Sequence, residues 1–333
     1  MFLGWIFNLL SLAFIHEHIA EDRRRKYINL FLSIQVLLLG MLISFPLQGY
    51  GLYSIAISTL HTVLVGVFAL WFFRDTRTDG FDASKWFARM ALIFFLISAI
   101  GPFTLGPLMI NGLGQTKWYY FAVYYYLHFQ YNGVFTFGVF SLLFGMIKDK
   151  GITLDQGLIK KFGYLLMYAC FPAYFLSTLW AEPGIIFNTI GFIAALMQLA
   201  TLYYLLKILR VIPGTVRKEL SVSVKILLAV SLFSFVVKLL LQTLSAHPVI
   251  AQVAYTIRNY VMAYLHLVLL GMISTFLIAW CIDKGWIGKS VLSWVLIFLV
   301  GAHALTPLRQ EPSPPASTRT NFIKLTTLLF LNL

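Results

Sequence analysis

Acidic residues are scarce: twelve Asp and Glu in 333 residues, against 25 Lys and Arg. None of the twelve falls in the interior of a long apolar stretch, which excludes a carboxylate proton pathway through those stretches. Charged residues of both signs make up only 11% of the chain, hydrophobic residues 60%, and the mean hydropathy is +0.84. An ordinary soluble globule is thereby excluded. The two cysteines, Cys170 and Cys281, provide neither a disulfide framework nor a metal-ligand spacing, and both read as small apolar fillers. A net charge of +13 would suggest nucleic acid in a soluble protein. Here the basic residues sit in short loops between apolar stretches, so the charge is a topology signal and nucleic acid is not an expected partner.

What is present is a series of apolar segments of membrane-spanning length. Candidate spans run over 28–49, 52–73, 86–112, 118–147, 161–180, 184–206, 225–245, 257–281 and 289–304, since a helix needs about 20 residues to cross a bilayer. The expected fold is an all-α, polytopic membrane bundle of about nine transmembrane helices occupying 28–304. Residues 2–15 are apolar but too short to cross, and no basic n-region or small-residue cleavage site marks a signal peptide. They read as a stub or interfacial helix, which with the basic run Arg23–Lys26 makes an N-terminal segment over 1–27. His16 and His18, beside this run, read as solvated surface residues, because positions i and i+2 of a helix do not share a face. The Pro/Ser-rich stretch within 305–333 is expected to be a disordered tail. Nineteen basic residues fall in loops on one side and only Lys117 and Arg258 on the other. The positive-inside rule makes the first side cytoplasmic and puts the tail outside, as expected for a bacterial inner-membrane protein.

Three histidines lie deep in these segments, each followed five residues later by glycine: His61 with Gly66, His128 with Gly133, and His266 with Gly271. All three spans run from outside to inside. Each histidine lies about ten residues from the outer end, or about 15 Å at 1.5 Å per residue. A polar ring in hydrocarbon costs free energy unless it finds a partner, so such residues are functional candidates. The competing reading is three separate histidines hydrogen-bonded across helix interfaces, and the glycines fit either a flat cofactor or a closely packed neighbouring helix. Lys238 lies inside the seventh span and Arg258 opens the eighth. Both are also explained by snorkelling or an interfacial position.

The segment Tyr260-Val-Met-Ala-Tyr-Leu-His266-Leu-Val-Leu resembles the tenth helix of subunit I of the heme-copper oxidases. That helix carries a His-x-His pair whose second histidine ligates the low-spin heme. Ser58-Thr-Leu-His61-Thr-Val-Leu-Val resembles the second helix, which supplies the other low-spin ligand. Tyr126-Leu-His128-Phe-Gln-Tyr-Asn-Gly-Val-Phe resembles the sixth, whose histidine binds copper. The resemblance spans roughly 28–304. It implies His61 and His266 as axial ligands of one heme b, Gly66 and Gly271 as packing against it, and Lys238 and Arg258 as partners of its propionates. His128 becomes a third metal-ligand candidate. An electron-donor protein or quinol is the implied partner, and a small diatomic gas if His128 lines an open pocket.

Departures from the family pattern limit what the resemblance implies. Tyr264 stands where the first histidine of the His-x-His pair belongs, and the fifth span has no histidine where the family has its copper-binding pair. Copper and oxygen reduction are therefore not expected. Tyr131 follows His128 by three residues and not four, so a cross-linked His–Tyr pair is not expected either. The expectation is a bis-histidine heme protein for electron transfer or for redox or gas sensing, at most an oxidoreductase-like respiratory component. The rival is a heme-free transporter or structural partner subunit using the histidines for packing or proton relay. Gly101-Pro102 and Gly106-Pro107 are its candidate helix discontinuity.

Overall fold

The computed structural model describes residues 2–49, 51–114, 116–214 and 219–288. The described residues are helical, with no strand among them, and eight helical stretches are long and apolar enough to cross a bilayer. These match the first eight candidate spans. The ninth, 289–304, and the tail, 305–333, lie outside the described residues.

In chain order, α1 covers Phe2–His18, α2 Glu21–Gln48 and α3 Leu52–Asp75. The third stretch is interrupted at Ala99 into α4, Ala83–Ser98, and α5, Ile100–Ile110. Pro102 lacks the N–H that would close the turn at Ser98, and Gly101 lets α5 lie against the backbone of Ala122 on the next helix. The fourth stretch is α6, Lys117–His128, a π-helical turn over Phe129–Phe135, and α7, Thr136–Asp149. Next come α8, Gln156–Ala173, α9, Ile185–Arg210, and α10, Val222–Leu244. The short α11, Pro248–Thr256, leads into α12, Arg258–His266, a second π segment over Leu267–Ser274, and α13, Thr275–Asp283.

The α6–π–α7 stretch is the axis of the molecule. It carries no charged residue between Lys117 and Lys148, and every residue from His128 to Leu142 is buried, its polar side chains included. Packed against it are α4, α8 and α13, and the two π segments touch each other.

The N-terminal helix departs from the sequence expectation. It is neither a stub nor interfacial: Ile6, Leu10, Ala13 and Phe14 are buried. Leu10 sits on Gly138 of α7, where a Cβ would come within 2.8 Å of it. Trp5 donates to Ser274 of the second π segment, and the Phe14 ring lies 5.8 Å from that of Phe72 on α3. Nine residues at 100° each put Trp5 and Phe14 on opposite faces of α1, so α1 separates α3 from the α12–α13 stretch. Its apolar residues are spent on protein contacts rather than on lipid, which is why 17 residues suffice.

At the basic end, ion pairs join elements distant in sequence: Lys284 with Glu17 and Asp149, Lys150 with Asp283, and Lys148 with Asp82. His18 is not a solvated surface residue. Its Nε2 faces the hydroxyls of Ser141 and Ser84 at 3.3 and 3.4 Å. Burial, with Lys85 and Lys148 adding to it against Asp82, pushes its pKa down from 6.5 to about 4. The folded protein therefore holds His18 neutral where the unfolded chain protonates it. Its contribution is intact above pH 6.5 and lost as pH falls toward 4. His18→Asn, which cannot titrate, is expected to flatten the fall in melting temperature over this window, a loss of up to about 3 kcal/mol in the parent protein. Asp82 acts at lower pH. Burial alone would raise its carboxyl, but Lys148 and the Lys85 N–H hold it below the usual range, so its contribution is lost only in stronger acid.

Candidate functional site

The three histidines occupy different surroundings. His61 lies on one stripe of α3 with Val65, Phe68 and Phe72, at i+4, i+7 and i+11, and those three are buried. The imidazole therefore points inward, half-buried, and makes no hydrogen bond to another described residue. From the Phe72–Phe14 contact, eleven residues of α3 raise His61 by about 16 Å, level with the first turn of α1. His266 ends α12, eight residues above Ser274, the residue Trp5 reaches. Both histidines thus lie toward the Phe2 end of α1, on different helices.

His128 is 1% exposed and held from both sides. Its Nε2 donates to the Cys170 carbonyl at 2.8 Å, and its Nδ1 accepts from Asn132 Nδ2 at 3.2 Å. The carbonyl can only accept, so the ring is the neutral Nε2–H tautomer. That carbonyl is available because α8 tightens into a 3-10 turn over Tyr174–Ser177, sending the Tyr174 N–H to Phe171 and Pro172. With both nitrogens engaged, His128 offers no lone pair to a metal, and it follows the packing reading. His128→Ala strands the Cys170 carbonyl and the Asn132 amide in the core. It is expected to cost about 3 kcal/mol, as two unsatisfied buried groups do, in thermal unfolding of the purified protein.

The glycines also separate. A Cβ on Gly133 would lie 2.5 Å from Phe94, and one on Gly271 would lie 2.8 Å from the Ser234 hydroxyl. These two admit neighbouring helices, so Gly271 does not face open space for a cofactor. A Cβ on Gly66 meets only Leu96, at 3.8 Å. Lys238 is 1% exposed, over the Phe235 ring at 5.6 Å, and within electrostatic reach of His128 and Cys170. It lies on the face of α10 whose Ser231 and Ser234 meet Met272 and Gly271 of the second π segment, while Tyr264, two residues before His266, packs against Tyr131. Arg258 opens α12, but its side chain lies outside the described residues.

The π segments were not foreseen, although the sequence carries a signal for them. Eight residues after His128 and His266 stand Thr136 and Ser274. Each hydroxyl donates to the carbonyl five residues back, Thr136 to Tyr131 at 2.6 Å and Ser274 to Leu269 at 2.7 Å. The corresponding residue after His61 is Ala69, and α3 is a regular α-helix. The motif is His-x4-Gly-x2-Thr/Ser: the glycine lets a neighbour close in and the hydroxyl caps a carbonyl of the widened turn. π turns of this kind recur at functional sites.

Among the described residues no three His, Cys, Asp or Glu side chains converge as a metal site. His61 and His266 lie on different helices, α3 and α12. Comparison with protein-family models, with curated proteins and with solved structures gives no match to this chain.

Proposed function

We propose that the protein is an integral membrane heme protein resembling subunit I of the heme-copper oxidases, with its basic end in the cytoplasm of a bacterial cell. His61 and His266 would hold one low-spin heme b, and the role would be electron transfer or redox or gas sensing. A heme supplies one-electron chemistry at its iron. The chain's part would be to present an imidazole from α3 and another from α12 and to surround the site with apolar side chains that tune the potential. The observation that carries this reading is His61 itself, on a buried stripe of α3 yet without a described hydrogen bond, and on a different helix from His266. Arg258 remains the propionate partner, and an electron-donor protein or quinol the source of electrons. The packing reading has its own support in His128, whose bonds are all internal.

The test is a reduced-minus-oxidised visible spectrum of the detergent-purified protein expressed with heme supplied. A sharp b-type α band is expected. A folded protein without a Soret band would sink the proposal and leave the histidines to helix packing.

A further inference from the structure

We infer that Lys238 marks an internal site for a small monovalent inorganic anion, on the face of α10 whose Ser231 and Ser234 meet the second π segment. Its ammonium is almost wholly buried, and among the described residues it makes no hydrogen bond or ion pair, only the contact with the Phe235 ring. Phe235 lies one turn toward the basic end from Lys238, so the side chain runs deeper into the apolar stretch instead of toward the nearer helix end at Leu244. This is the reverse of snorkelling. Among the described residues no carboxylate meets it, and every Asp and Glu of the eight long helices stands at a terminus. A buried charge without a counter-ion is among the costliest arrangements in an apolar medium, so the chain leaves the anion to be supplied from outside.

The neighbouring groups favour a small, hydrated anion over the carboxylate of a large ligand. Asn132, which donates to His128, leaves its Oδ1 buried with no donor, and Gln242 Oε1, one turn along from Lys238, is in the same state. These amide oxygens repel a bare anion and accept from a water molecule carried in with it. Lys238 would then hold the anion while the water bridges to the amides. Because this face of α10 packs against the stretch that follows His266, heme-free and heme-loaded protein are compared to separate the site from the heme reading.

The experiment is thermal unfolding of the full chain, heme-free and heme-loaded in parallel, in sodium chloride or bromide against sodium gluconate at equal ionic strength. In the parent protein, saturating halide is expected to raise the melting temperature by about 3 °C or more. Lys238→Met, and Lys238→Gln as a second neutral variant, are expected to melt higher than the parent in gluconate and to ignore halide. A parent protein indifferent to halide, or variants that keep the response, would overturn the site. A response confined to heme-free protein would give the amine to a heme propionate and equally overturn it. Absence of heme binding leaves the halide comparison standing, so the two readings fail separately.

Discussion

His61→Ala and His266→Ala are each expected to abolish the α band of the reduced low-spin heme, whereas His128→Ala leaves it in whatever protein still folds. The prediction separates two uses of one residue type within one motif. His128 has both ring nitrogens committed to Cys170 and Asn132, so removing it acts on stability and not on heme. His61 has no described hydrogen bond and is half-buried, one turn before the buried run of Val65, Phe68, Ala69 and Phe72 on α3. Loss of one of two axial ligands removes a direct bond to iron. Retained heme is expected to fall by about tenfold or more, at least the effect seen for groups that merely orient a ligand. Heme per folded chain, read as the ratio of Soret to protein absorbance after size exclusion, is the measurement. Equal ratios in all three variants would end the bis-histidine assignment, and loss in His128→Ala alone would transfer it to α6.

Much of the architecture was legible because length and hydropathy act locally. Each of the first eight spans had enough apolar residues to cross a bilayer, and the charge between them marked the ends. The N-terminal helix was misread because its destination is not local. Phe2–His18 is too short for lipid, and only Gly138, far away in sequence, makes room for Leu10. His18 followed the same error, since the serines that surround it lie on α4 and α7. Helix register is similarly invisible in a hydropathy profile. The hydroxyls of Thr136 and Ser274 mark the π turns, but a threonine or serine in an apolar span more often bonds within a regular α-helix. For the site, spacing picks out the three histidines, whereas the partners of His128 are invisible to it. The Cys170 carbonyl is freed only because α8 ends in a 3-10 turn, and the burial of Lys238 follows from α10 packing against α9, the second π segment and α13.

Gly133→Ala is expected to cost about 2–3 kcal/mol or more, while Gly66→Ala changes stability by less than about 0.5 kcal/mol. Both glycines follow a histidine by five residues, and an added methyl favours a helix at either position, so propensity cannot separate them. Packing does. At Gly133 the new carbon would meet Phe94 at 2.5 Å, in a run with no exposed residue, and Phe94 is itself fixed against Phe129, Phe137 and Phe171. At Gly66 it would meet Leu96 at ordinary contact distance. Gly271→Ala should fall between them, because its obstacle is the Ser234 hydroxyl at 2.8 Å, with the Ser234 Cβ at 3.4 Å. Ser234→Ala removes that hydroxyl, so the double variant is expected to recover most of the loss, a coupling that distant sites do not show. Melting temperatures of the four single variants and the pair decide the matter. If Gly271→Ala is as costly with Ser234→Ala as without it, the glycine is required by the π turn itself and not by the helix packed against it.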